Sequence, residues 1–242
     1  MPTVIDISHY QPEVDFAAAK AGGLKAVIIK CTEGTGIFDD KFLSHVEAAD
    51  EAGVAWCSYH FLRHGNAEAQ MGFYLSKLSP RAGERVCIDY EDNACTLDDL
   101  HEAVNALLAF SDSDDLDLQI TVYSGHLIKD QLGSKTDTLL AQRTSLWLAQ
   151  YTTGTPTWPK GTWPMWSLWQ YSDSEKIAGY NGPVDGDRFN GPDDALLKWI
   201  GPATQQPPQP APDEDVPNVT VTLASDKPVS VTVAAGANVT LL

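Results

Sequence analysis

Positive charge is what this sequence has least of: 16 Lys and Arg stand against 33 Asp and Glu in 242 residues, a formal net charge of −17. Binding to a phosphate backbone draws on counterion release by a basic surface, so this balance argues against nucleic acid as a partner. Long apolar runs are missing as well. Stretches such as residues 106–110 fall far short of the roughly 18 to 20 residues that cross a bilayer, and no membrane span is expected. The start, Met1-Pro2-Thr3-Val4-Ile5-Asp6, has no basic residue and reaches a carboxylate before any apolar core forms. It does not read as a secretory signal, which predicts a cytoplasmic protein or export by another route. Four cysteines are too few and too scattered for a disulfide framework, so reduced thiols are expected.

What is present is an alternation of short Val- and Ile-rich runs with amphipathic stretches. Strands are predicted at residues 3–6, 26–30, 54–59, 85–89, 119–123, 145–149, near 165–170 and at 184–189. Helices are predicted at 15–21, 38–52, 67–78, 97–111 and 126–132. Strands separated by helices of this length point to a mainly parallel sheet or barrel. Past Tyr151 the pattern becomes irregular, with Pro156, Pro159 and Pro164 and five Trp between positions 147 and 169. The fold class expected is α/β, an irregular TIM-like (β/α) barrel of about eight strands and five helices over residues 1–200.

Residues 201–217 are rich in Pro and Gln, a linker composition that favours extended backbone. Residues 218–242 then alternate Val and Thr in three pieces, 219–223, 229–233 and 239–242, which reads as a small β meander. About 25 residues cannot bury enough surface to be stable alone. The tail is therefore expected to dock on the barrel, to self-associate with another copy, or to add strands to a partner. From Gly201 onward there is no Phe, Trp or Tyr, so it is not expected to stack sugars.

The segment Arg85-Val86-Cys87-Ile88-Asp89-Tyr90-Glu91 sets an apolar strand directly before Asp-Tyr-Glu. Residues two apart on a strand share a face at about 6.6 Å, so Asp89 and Glu91 should project together from its C-terminal end. In parallel barrels that end is where chemistry is built. Paired carboxylates suit glycosidic cleavage, one protonated as general acid and the other stabilising positive character at the sugar carbon. Their expected separation lies between the retaining and inverting ranges, so it does not fix the stereochemical course. Asp6, Glu33 and Asp185 also sit at predicted strand ends, and acids gathered at one rim raise one another's pKa.

In this order the chain resembles glycoside hydrolase family 25, the lysozymes of phage endolysins and of some bacteria and fungi, along nearly all of residues 3–200. The matching pieces are Val4-Ile5-Asp6-Ile7-Ser8 with Gln11, Ile29-Lys30-Cys31-Thr32-Glu33-Gly34, Tyr59-His60-Phe61, Ile88-Asp89-Tyr90-Glu91, Val122-Tyr123-Ser124, Trp147-Leu148-Ala149-Gln150-Tyr151, Trp169-Gln170-Tyr171-Ser172, and Val184-Asp185 with Phe189. The resemblance implies that Glu91 is the general acid/base and that Asp89 assists the substrate's 2-acetamido group, which acts as nucleophile. Asp6 and Asp185 would line the same site, with Glu33, Tyr59, Tyr123, Tyr151, Trp147, Trp169 and Gln170 binding substrate. The implied bond is the β-1,4 link from N-acetylmuramic acid to N-acetylglucosamine in bacterial peptidoglycan. An endolysin would wait in the host cytoplasm until lysis. The alternatives are a family 18 chitinase-like enzyme, in which a Gly-preceded acidic run stands where Cys87-Ile88 stands here, and a non-catalytic wall-binding virion component.

Two further readings complete the expectation. If Glu33, Tyr59 and Asp89 face the barrel interior, then Cys31, Cys57 and Cys87, each two residues earlier, face it too and form a layer of buried thiols that act as small apolar fillers. His60 and His64 are four apart without a Glu between them, so no metal and no cofactor is expected. Of the five clustered Trp, strand alternation allows at most about half to reach a groove.

Overall fold

The run Ala26–Glu33 shows why this chain closes a sheet on itself: all but its last residue are buried, the near-continuous apolar pattern of a parallel strand covered on both faces. The computed structural model describes residues 2–201, 219–221 and 239–241. Within the first of these segments the strands are β1 (Val4–Ile7), β2 (Ala26–Glu33), β3 (Ile37–Phe38), β4 (Ala55–Phe61), β5 (Arg85–Asp89), β6 (Gln119–Ser124), β7 (Ser145–Ala149), β8 (Leu168–Glu175) and β9 (Val184–Phe189). Eight of them close in the order β1-β9-β8-β7-β6-β5-β4-β2 and back to β1, with β3 a short flap on the end of β2. Pairing is parallel from β1 through β8 and antiparallel on both sides of β9. This is the expected TIM-like barrel, mixed in direction where the chain leaves no room for crossover helices.

Strand alternation sorts the side chains into two cores. Val4, Ala26, Ile28, Cys57, Cys87, Tyr123, Trp147 and Leu168 fill the barrel interior. Ile5, Val27, Ile29, Val86, Ile88, Val122, Leu146 and Leu148 point outward into a larger core against the helices. Seven helices are present among the described residues: α1 (Phe16–Ala21), α2 (Phe42–Ala52), α3 (Ala67–Leu78), α4 (Leu97–Ser113), α5 (His126–Leu132), α6 (Thr138–Arg143) and α7 (Asp193–Ile200). Local chemistry fixes their ends. Thr96 and Asp99 form a reciprocal capping box at α4, and Gly53 takes a left-handed conformation (φ 65°) that stops α2.

Two expectations are corrected. About five helices were expected, and two short ones, α6 and α7, six and eight residues long, add to them. The layer of three thiols reduces to two. Cys57 and Cys87 lie in the barrel interior, whereas Cys31, also buried, lies in the outer core. The cause is a bulge in β2: Lys30 pairs with Tyr59 and Thr32 with His60, so Cys31 is an extra residue and counting back from Glu33 inverts the face.

Residues 209–242 form a separate unit. In it Val219–Val221 and Val239–Leu241 pair in parallel, a difference from the antiparallel pairing of a meander. The predicted piece at 229–233 and, apart from Gly201, the linker predicted at 201–217 lie outside the described residues.

Candidate active site

Six of the seven parallel strands, all but β2, each deliver one inward side chain to the rim where the strands end. Asp6 comes from β1, Tyr59 from β4, Asp89 from β5, Tyr123 from β6, Trp147 from β7 and Gln170 from β8. Asp185 arrives from β9, which runs the other way and pairs directly with Asp6. Together with Glu91 and Tyr151 they line one cavity of about 190 Å³. A second cavity of about 320 Å³ shares Glu91, Tyr123 and Tyr151 and continues along Gly125, His126, Lys129 and Gln150. Gly125 belongs at that wall, since a Cβ there would stand 3.2 Å from the Ala149 carbonyl.

A hydrogen-bond chain fixes the floor. The hydroxyls of Tyr123 and Tyr151 each donate to Gln170 Oε1 at 2.9 Å, and Gln170 Nε2 donates to Asp6 Oδ2 at 2.8 Å. Behind it, Trp147 Nε1 donates to Asp187 Oδ1 at 2.6 Å. Asp187 is only 1% exposed, and its second oxygen finds no N–H or hydroxyl donor. The Asp6 carboxyl is its hydrogen-bonded neighbour. Two carboxyls can meet in this way only if one keeps its proton. Burial raises Asp6, and the charges of Asp187 and Asp185 raise it further. Burial likewise lifts Asp187 to about 7 and, with the charge of Asp173, Asp185 to about 6.

Asp89 and Glu91 differ in setting. Asp89 is buried, its Oδ1 has no donor, and burial together with the charge of Glu91 pushes its pKa well up. Glu91 opens onto the groove, yet the surrounding protein desolvates it enough to raise its pKa; His126, Lys30 and Arg63 act against that rise. The pair therefore offers one accessible carboxyl able to hold a proton and one buried carboxyl with a free acceptor atom.

Not every predicted residue comes to this cavity. Glu33 is engaged by Lys30 at 2.6 Å on one oxygen and by Arg63 at 2.6 and 3.1 Å on the other. Burial would raise Glu33, but these hydrogen bonds outweigh it and hold the carboxyl below its usual range. Arg63 also reaches Asp92 at 3.1 Å, tying the ends of β2, β4 and β5 together. Trp169 donates to the Gln150 carbonyl at 2.8 Å from the outer core, as a brace behind the wall. Of the five clustered Trp, Trp147 alone lies in the interior core; Trp158, Trp163 and Trp166 pack outside with Trp169. Sequence reasoning missed Asp187, although Asp185-Gly186-Asp187 carries the same two-residue period that singled out Asp89 and Glu91. It also missed Lys30 and Arg63, for which only the contacts give a signal.

Comparison with known proteins places this geometry. The family model of "Glycosyl hydrolases family 25" matches residues 5–180. Lysozyme M1 of Streptomyces globisporus is 28% identical over 209 residues, covering 80% of this chain and 69% of that protein. The autolytic lysozyme of Clostridium acetobutylicum is 29% identical, covering 77% of this chain and 55% of that one, so the chain spans about half its length. The crystal structure of a bacterial lysozyme from Streptomyces coelicolor superposes with a TM-score of 0.70 at 27% identity, over 81% of this chain and 95% of that one.

Proposed function

The chain belongs to glycosyl hydrolases family 25 and is a glycoside hydrolase, and on that premise we propose that it cleaves the β-1,4 bond between N-acetylmuramic acid and N-acetylglucosamine in peptidoglycan. The observation that carries the reading is the pairing within one cavity of Glu91, accessible and raised in pKa, with Asp89, buried and holding an unengaged oxygen. Glu91 gives its proton to the leaving glycosidic oxygen. Asp89 accepts the N–H of the substrate's 2-acetamido group, so that the acetamido oxygen is oriented to attack the anomeric carbon as the bond breaks. Glu91, now ionised, then takes a proton from the water that opens the cyclic intermediate. Asp6 and Asp185, set by Gln170 and by each other, shape the negative wall on which positive charge develops. Tyr59, Tyr123, Tyr151 and Trp147 supply the walls against which the sugar packs.

Mass spectrometry of products from purified peptidoglycan tests the bond: new reducing N-acetylmuramic acid is expected, and new reducing N-acetylglucosamine or freed peptides alone would overturn it. Glu91→Gln should lower the rate about 10²- to 10⁴-fold at an unchanged melting temperature; near wild-type turbidity loss would remove Glu91 from the role. An endolysin role, with the enzyme waiting in a host cytoplasm, belongs to the same reading and rests on the sequence resemblance. Lysis by protein made inside a host only when its membrane is breached would test it.

A further inference from the structure

Lys129 is a cation at the groove of a chain rich in acid. Its ammonium donates to Gln150 Oε1 at 2.7 Å, and among the described residues it makes no ion pair. Lys30 and Arg63, the cations on the other side of Glu91, are both committed to Glu33, and Arg63 to Asp92 as well. Lys129 and His126 instead wall the cavity of about 320 Å³ next to Glu91. The two cavities differ in sign. Asp6, Asp89, Asp185 and Glu91 line the smaller one, which offers an anion no cation, while the larger one has Lys129 and His126 in its wall and Glu91 as its only lining carboxyl. A negative substituent on a sugar held at Glu91 has one favourable direction to take, toward Lys129.

We propose that the cavity beside Glu91 receives a carboxylate carried by the glycan and that Lys129 is a specificity-determining residue, favouring acidic over neutral β-1,4-linked amino sugars. The inference rests on the reading of the site as a peptidoglycan glycosidase. That glycan has two sources of the same chemistry, the 3-O-lactyl carboxylate when the peptide has been removed and a glutamyl carboxylate when the stem peptide is present. The Gln150 hydrogen bond leaves Lys129 with two further N–H groups, and Gln150 Oε1 already accepts from Thr157 through its N–H at 3.0 Å and its hydroxyl at 3.2 Å.

The experiment compares kcat/KM on matched substrates. One pair is peptide-stripped glycan and the same glycan with its lactyl carboxylates methyl-esterified. The other is stem-bearing glycan with its glutamyl carboxylate free or amidated. The wild-type enzyme should prefer the acid by about tenfold in at least one pair, the size of one charge-assisted hydrogen bond, and that pair identifies the source. Lys129→Met should bring the ratio close to one, mainly through KM, and Lys129→Arg should restore most of it. Thr157→Val loosens the same loop without touching the charge and should keep the preference. A wild-type ratio near one in both pairs, or a Lys129→Met loss equal on acid and neutral substrates, overturns the inference. If the wild-type enzyme releases no reducing ends from any of these glycans, the proposed function itself fails.

Discussion

Asp187 is the residue whose chemistry differs most from its place in the sequence. Buried against Asp6 and holding Trp147, it carries a pKa raised to about 7, far above an ordinary aspartate near 4. A raised folded-state value means that the folded protein binds the proton more tightly than the unfolded chain. Its contribution is therefore favourable at low pH and is lost as pH climbs from about 4 through about 7. Asn at this position can still accept from Trp147 and would donate to an ionised Asp6, removing that loss. Asp187→Asn should therefore melt about 3–8 °C above wild type at pH 8 and close to it at pH 4. Thermal unfolding at the two values checks this, and an equal shift at both would show that the shared proton has no part in stability. At this scale the sequence was readable where chemistry repeats with period two along a strand, as for Asp89 and Glu91. Asp187 follows the same rule, but its weight comes from Trp147 and Asp6, which reach it from β7 and β1.

The elements show the same limit. The barrel strands were legible as short apolar runs, Val/Ile-rich in β1, β2, β5 and β6 and carried by aromatics and Leu in β4, β7 and β8, and the order of long helices followed from their periodicity. The bulge in β2 was not, since Ile29-Lys30-Cys31-Thr32-Glu33 contains no Gly or Pro to mark it. Yet it is the bulge that turns Glu33 to the side of Lys30, while Cys31 keeps the outward face of Val27 and Ile29. Helix α7 was hidden behind Gly191-Pro192, where the composition already reads as the approach to a linker. It places Leu196 and Ile200 in the interior core, while Arg85, at the start of β5, donates to the Trp199 carbonyl and, at 2.7 Å, to Thr121 Oγ1. The helix thus closes the mouth opposite the candidate site. Leu196 is 1% exposed, and Leu196→Ala should cost about 2–4 kcal/mol, lowering the melting temperature. Product release measured well below that temperature should stay near wild type. An enzyme inactive while still folded would mean that α7 shapes the site rather than merely sealing the barrel.

For the whole molecule the decisive quantity is charge. The segment 201–242 has Asp213, Glu214, Asp215 and Asp226 against Lys227, so −14 of the total −17 falls on residues 1–200. Part of that sits at the floor of the site, where burial keeps some of the acids protonated; Asp39, Glu84 and Asp99 are buried elsewhere, and exposed acids make up much of the remainder. Anionic wall polymers should therefore repel the enzyme on approach, and raising ionic strength from about 10 mM to 150 mM shortens the reach of that repulsion from roughly 30 Å to 8 Å. Initial rates of wall lysis should rise over this range, whereas a steady fall would show that bulk charge does not govern the encounter. The contact proposed at Lys129 responds in the opposite sense, because a local attraction between opposite charges is weakened by the same salt. Encounter with the wall should thus improve while the preference for acidic glycan narrows, two trends that intact walls and soluble glycans separate.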